Sequence, residues 1–255
     1  MTLLHSTILG NGQPLIIAHG YFGMGDNWKS LGNKFANHFE VHLLDQRNHG
    51  RSFHSDDFNY DVMVEDLLFY IKHYRLKNVL LLGHSMGGKM AMQFAVTYPE
   101  FLSKLIIVDI APKYYSPHHE AILTALNNVD FDKISSRREV SDIFKKHIDE
   151  EGVIQFLLKN VYWKSKTQLA YRFNIESLTA NNNEVGEALP SFTNFNKPVL
   201  FLKGGSSGYI SSEDESLIKV HFSEFKIVTI ENAGHWVHAN NPSQFYEAVF
   251  NFIKD

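Results

Sequence analysis

Residues 79–88 read Val-Leu-Leu-Leu-Gly-His-Ser-Met-Gly-Gly. The apolar run 79–82 has the length and composition of a buried strand. Residues 86–98 repeat Met90, Ala91, Phe94 and Ala95 at helical spacing, and Pro99 stops them. Between the two lies Gly83-His84-Ser85-Met86-Gly87, which fits Gly-x-Ser-x-Gly at a strand-to-helix turn. A serine on such a turn projects from a strained backbone, so bulky residues two positions either side would collide with it. The helix that starts at the serine aims its first N–H groups at developing negative charge. This pattern marks Ser85 as a candidate nucleophile.

Working outward, further short apolar runs read as strands: 15–18, 41–44, 105–110, 199–202 and 227–230, with an edge segment around 3–9 that ends at Gly10-Asn11-Gly12. Helical patterns lie between them. Residues 60–74 place Val64, Leu67, Leu68 and Ile71 on one face, and the last helix opens with Asn241 as cap and Pro242 at the first position. Alternating strands and helices predict a mostly parallel sheet covered on both faces. Residues 112–190 break the alternation, with helical patterns and no convincing strand. Ser136-Arg-Arg-Glu139 is a capping box followed by Val140, Ile143, Phe144, His147 and Ile148, and Val153, Ile154, Leu157, Leu158 and Val161 make another apolar face. The expectation is a core of residues 1–111 and 191–255. A helical cap of residues 112–190 would be inserted between the strand ending near Ile110 and the strand starting near Val199.

A serine needs a base, and the oxyanion needs donors. Strand 15–18 runs into His19-Gly20-Tyr21-Phe22-Gly23, a turn able to aim a backbone N–H at the point served by Met86; the expected oxyanion hole is Tyr21 plus Met86. His19 reads as a packed or hydrogen-bonded residue. His235 follows strand 227–230 through Glu-Asn-Ala-Gly, and a histidine at the carboxyl end of a strand can reach a serine at the carboxyl end of a nearby one. The acid has three candidates. Residues 203–210, Lys-Gly-Gly-Ser-Ser-Gly-Tyr-Ile, hold no carboxylate, and Glu213 and Asp214 beyond them have the composition of a helix start. Asp109 closes an apolar strand, where a carboxylate is costly to bury without a partner such as an imidazole N–H.

Four segments, His19-Gly20, Asp45-Gln-Arg-Asn-His-Gly-Arg-Ser52, Gly83 to Gly88 and Ala233-Gly-His235, resemble the successive motifs of the α/β-hydrolase superfamily. Arg47-Asn-His-Gly50, Gly83-His-Ser-Met-Gly-Gly-Lys89, Val108-Asp-Ile-Ala-Pro112 and Arg172-Phe-Asn174 are similar, more narrowly, to the small bacterial esterases of the YbfF type and their eukaryotic relatives. The resemblance implies an α/β-hydrolase fold and a triad acid at Asp109, with a serine matching Ser207 supporting it. It implies a carboxylesterase-type serine hydrolase working through an acyl-enzyme on esters of short to medium acyl chains. Thioester hydrolysis would use the same parts, and a non-catalytic binding member of the fold would have lost them. Dehalogenases and epoxide hydrolases of this fold place Asp where this chain has Ser85.

Composition narrows the chemistry further. The 255 residues include no cysteine, which excludes disulfides, thiol nucleophiles and cysteine-bound metals. A formal charge of −4 gives no electrostatic reason to bind nucleic acid or an anionic membrane. The first residues lack a basic, then apolar, signal pattern, and no apolar run approaches the ~20 residues of a membrane span, so a cytoplasmic protein is expected. Of fourteen histidines, only His235 is needed for chemistry. His238 makes a His-x-x-His pair with it but brings no third ligand, so neither metal nor cofactor is expected and the partners are an ester and water. His118-His119 are expected in solvent, and Arg172 is expected to pair with a carboxylate. The aromatic residues of the insertion, among them Tyr114, Tyr115, Phe144, Phe156, Tyr162, Trp163, Tyr171 and Phe173, favour an apolar substrate group.

Overall fold

The computed structural model describes residues 2–254. The chain opens with β1 (Ser6–Leu9), β2 (Gln13–Ala18), α1 (Lys29–Phe35), β3 (Phe39–Leu44), α2 (Tyr60–Tyr74), β4 (Val79–His84), α3 (Met86–Thr97) and β5 (Leu102–Val108). An insertion follows with α4 (Glu120–Asn127), α5 (Arg137–Phe144), α6 (Glu151–Leu158), β6 (Val161–Trp163), β7 (Leu169–Tyr171) and α7 (Ile175–Ala180). The chain then returns through β8 (Val199–Gly204), α8 (Asp214–His221), β9 (Phe225–Ile230), α9 (Val237–Asn240) and α10 (Pro242–Ile253).

Seven strands form one sheet in the order β1-β3-β2-β4-β5-β8-β9, parallel throughout except for β1, which runs antiparallel to β3. Alternation along each strand feeds two cores. Ile16, Leu81, Leu105 and Ile107 pack under α2 and α3, whereas Leu15, Ile17, Leu80 and Ile106 pack against Trp28, Phe35, Phe245 and Val249 on the α1 and α10 side. Both faces being covered explains why these strands read as continuous apolar runs. α2 occupies the 15 residues its periodicity marks, capped by the Asn59 side chain on Val62 N–H, and α10 begins at Asn241-Pro242 as its cap signal predicts. Among the described residues no helix is long and apolar enough to cross a membrane.

Two differences from the sequence reading matter. β5 stops at Val108, two residues short, because Asp109 turns the chain out at φ 52°. The insertion also contains strands. Val161 does not extend the apolar face of α6, which ends at Leu158; it pairs with Tyr171 in a two-stranded hairpin whose turn is closed by Lys164 N–H on the Gln168 carbonyl at 2.9 Å. β-branched and aromatic side chains at 161–163 favour that extended pairing. The two ends of the insertion lie side by side: Tyr115 N–H donates to the Gly186 carbonyl at 2.8 Å and Leu189 N–H to that of Pro112 at 2.9 Å. Buried Lys89, on α3, clips them together by donating to the carbonyls of Lys113 and, at 2.7 Å, Glu187.

Candidate active site

Ser85 sits at the junction of β4 and α3 with φ 52° and ψ −117°, a conformation a serine adopts only when its surroundings impose it. The surroundings are tight. A Cβ on Gly83 would strike the carbonyl of Gly87, and one on Gly87 would strike the carbonyls of Ala18 and His19. Ser85 N–H donates to the Val108 carbonyl at 3.0 Å, which ties the turn to the end of β5.

One residue past that end stands Asp109, fully buried, its own N–H bonded to the Leu202 carbonyl at 2.8 Å. Its carboxylate is fully occupied. Oδ1 accepts Gly204 N–H at 2.9 Å; Oδ2 accepts the Ser207 hydroxyl at 2.5 Å and the His235 Nδ1–H at 2.8 Å. These donors answer the cost of burying a lone carboxylate. His235 arrives on the loop between β9 and α9 and lines the same cavity as Ser85. With Nδ1 engaged, Nε2 is its remaining nitrogen. Asp214 lies elsewhere, accepting from Lys113 Nζ at 2.7 Å and from Ser211 N–H at 2.8 Å. Burial disfavours its charge, but these hydrogen bonds outweigh that and hold its carboxyl below the usual range. Glu213 is the residue before α8. The helix-start reading describes both.

The loop after β2 is braced by imidazoles. His19 donates Nδ1–H to the Gly20 carbonyl at 2.8 Å and accepts Gln46 N–H on Nε2 at 3.1 Å. His49 donates to the Arg47 carbonyl at 2.9 Å and accepts Phe22 N–H at 3.2 Å. Burial pushes His19 down to about 4 and His49 to about 3, so both work as neutral spacers. From the insertion, Asn160 donates to the Phe22 carbonyl at 2.8 Å, and the Tyr21 hydroxyl donates back to the Leu178 carbonyl at 2.7 Å. Among the described residues the backbone N–H groups of Tyr21 and Met86 meet no acceptor. His84 donates Nε2–H to the carbonyl of His235 at 2.9 Å, holding the His235 loop against the serine turn. His19 is thus the packed, hydrogen-bonded residue its sequence position suggests, and His49 and His84 have structural work of the same kind.

A cavity of about 550 Å³ opens over Ser85 and His235. Trp28, Val153, Phe156 and Trp236 supply apolar wall, and Asp149 and Glu150 stand exposed at its rim. His118 and His119, expected in solvent, also line it. His118 accepts the Tyr209 hydroxyl on Nε2 at 2.6 Å, its Nδ1–H being given to the Ser116 carbonyl at 2.9 Å. Of the aromatic residues singled out in the insertion, Phe156 reaches this cavity, Phe144 is buried in the insertion's own core, and Tyr114 and Trp163 are half exposed. Arg172 makes no ion pair among the described residues; its guanidinium lies 4.5 Å over the ring of Tyr162. The neighbouring Phe173 and Asn174 join insertion to core, Phe173 against Phe22 and Asn174 N–H on the Asn48 carbonyl at 2.9 Å. His238 stacks on Trp28 with centroids 3.9 Å apart.

Residues 13–146 match the alpha/beta hydrolase fold family. The chain is 33% identical to esterase YbfF of Escherichia coli over 248 residues, which is 96% of this chain and 94% of that protein. It is 36% identical over 254 residues to the sn-1-specific diacylglycerol lipase ABHD11 of Danio rerio, covering 96% of this chain and 80% of the relative. The solved structure of a marine microorganism esterase superposes with a TM-score of 0.96 at 40% identity, over 99% of this chain and all (100%) of that one. By fold, by motif and by these relatives, the chain belongs to the α/β-hydrolase family as a carboxylesterase-type hydrolase.

Proposed function

We propose that Ser85, His235 and Asp109 are the triad of a serine esterase that cleaves carboxylic esters of short to medium acyl chain through an acyl-enzyme. Ser85 attacks the ester carbonyl while His235 Nε2 takes its proton; the N–H groups of Tyr21 and Met86 hold the oxyanion. His235 then protonates the leaving alcohol and activates the water that releases the acid. Asp109 fixes the imidazole tautomer and offsets its transient charge, and Ser207 holds the carboxylate in place. Residues 112–190 act as the lid over this centre. The observation that carries the reading is the 2.8 Å bond from His235 Nδ1 to buried Asp109, beside a serine on a strained turn in the wall of the same cavity.

The test is Ser85→Ala with p-nitrophenyl acetate, alongside fluorophosphonate labelling of the native protein. Loss of turnover and a label on Ser85 are expected. More than a tenth of the native rate in the variant would remove Ser85 from the nucleophile's role.

A further inference from the structure

Ser85 opens onto two spaces of very different size. One is the 550 Å³ cavity. The other is a recess of about 20 Å³ that shares Ser85, His118, His119 and Tyr209 with it and is closed by Met86, Ile110, Tyr115, Val185 and Gly186. His235 lines the large cavity and not the recess. We propose that the recess takes the acyl group and the large cavity the alcohol, which makes the preferred substrates acetyl esters of bulky, uncharged alcohols. This deepens the serine-esterase reading and rests on it.

The assignment follows from where the proton must go. Attack forms a bond from Ser85 Oγ to the carbonyl carbon, and collapse breaks the bond from that carbon to the alcohol oxygen. The departing oxygen takes the proton that His235 received from Ser85, so it must lie beside His235, in the large cavity. Water then attacks the acyl-serine, gives one proton to His235, and releases the acid as Ser85 recovers its own. The carbonyl oxygen is directed between the N–H groups of Tyr21, which lines the large cavity, and Met86, which lines the recess, and so sits at the boundary of the two spaces. The remaining substituent on the carbon, the acyl tail, is left to the recess.

Size then sets the acyl class. A space of ~10–15 Å³ holds one water, so 20 Å³ accommodates about a methyl group. Its walls are held in place. The Tyr115 hydroxyl is fixed between Ala111 N–H at 2.9 Å and the Tyr209 carbonyl at 2.6 Å, and Tyr115 N–H is tied to Gly186. Ile110 is 4% exposed and packs onto Gly88. On the alcohol side, Trp28, Phe156 and Trp236 offer apolar surface, and burial pushes His119 and His238 down to about 3, so neither of these two rings offers a cation to an anionic substrate. Asp149 and Glu150 at the rim repel phosphorylated or carboxylated carriers.

Octyl acetate and ethyl octanoate test this directly, since they are isomers with primary-alkanol leaving groups. A kcat/KM at least tenfold higher for octyl acetate is expected; equal or inverted values overturn the pocket assignment. Opening the recess with Val185→Ala is expected to narrow the preference for octyl acetate over octyl butyrate at least threefold, and an unchanged ratio likewise overturns it. Fluorophosphonate labelling of Ser85 separates the two levels. A labelled Ser85 with an inverted ester preference removes the pocket assignment alone; an unlabelled Ser85 with neither ester cleaved removes the serine mechanism and this assignment together.

Discussion

The ring of Tyr209 lies flat against the imidazole of His235, with centroids 3.8 Å apart and planes 17° from parallel. The same tyrosine gives its hydroxyl to His118 of the insertion, and its N–H donates to Ser207 Oγ at 3.2 Å. It therefore touches the proposed base, the insertion and the support of the proposed acid at once. A stacked aromatic pair contributes ~0.5–1.5 kcal/mol beyond its buried area, so losing the ring is expected to lower kcat roughly two- to tenfold through a less well-held imidazole. Tyr209→Ala should show that loss. Tyr209→Phe keeps the stack and should hold kcat within about twofold while changing KM, because only the link to His118 is cut. Steady-state kinetics on a short-chain ester checks both variants; equal kcat losses in the two would assign the effect to the hydroxyl instead.

The acid is the second point of leverage. Asp109→Asn preserves shape but turns the group facing His235 Nδ1 from a pure acceptor into one that can present an N–H, which favours the wrong tautomer. A fall in kcat on the order of 10⁴ is expected, as for the same change in Ser-His-Asp enzymes. Asp214→Asn weakens the pair with Lys113 and the bonds from Ser211, none of which reaches His235, and should leave kcat within about threefold. A pattern with these two effects exchanged would move the acid to Asp214.

How much of this was legible beforehand depends on the range of the interaction. The strand–serine–helix turn is legible because its pattern is local: Gly83, Ser85 and Gly87 lie within five residues and Gly83 is pressed by Gly87, although Gly87 is itself pressed by the distant Ala18 and His19 carbonyls. The same holds for the caps at Asn59, Ser136 and Asn241, each of which accepts from an N–H three residues on. Asp109 and His235 are 126 residues apart, so residue types alone left Glu213 and Asp214 open, and the cost of burying a lone carboxylate at a strand end pointed to Asp109 only together with a family resemblance. Tyr209 carried no signal at all, since its partners His118 and His235 come from opposite ends of the insertion and core. The hairpin at 161–171 was missed because three-residue strands are too short to show a period of two against the stronger helical pattern just before them.

The buried imidazoles make stability fall in acid. His19 and His49 are held neutral by burial, with values near 4 and 3 against 6.5 for the free side chain. Below pH 6.5 the unfolded chain takes up protons that the folded state refuses, so unfolding becomes easier as pH drops. The loss runs from about pH 6.5 down to 4, with each ring contributing a slope of about 1.4 kcal/mol per pH unit. Urea denaturation at pH 7 and pH 5 measures it. His49→Gln lacks a titrating ring and should show a shallower decline than the native protein; parallel curves for the two would place the acid sensitivity elsewhere.

Lys89 titrates with the opposite consequence at the alkaline side. Burial lowers its ammonium to about 7, against the opposing pull of Glu187 and with the help of the nearby Lys113 charge. Between pH 7 and about 10.5 the unfolded chain keeps a proton on this lysine that the folded protein has shed. The folded state therefore gains stability as pH rises through that window, while the neutral amine still donates to the carbonyls of Lys113 and Glu187. Lys89→Met fills the same space and removes both donors, leaving two buried carbonyls at the junction of the insertion's ends without them. The variant is expected to lose this alkaline gain, so its stability relative to the native protein should decline further from pH 7 to pH 9. Its insertion ends should also open more often, which faster amide exchange at 113–118 and 186–189 would report. Exchange unchanged in those two segments, with faster exchange in α3, would mean that Lys89 supports α3 rather than the closure of the insertion's ends.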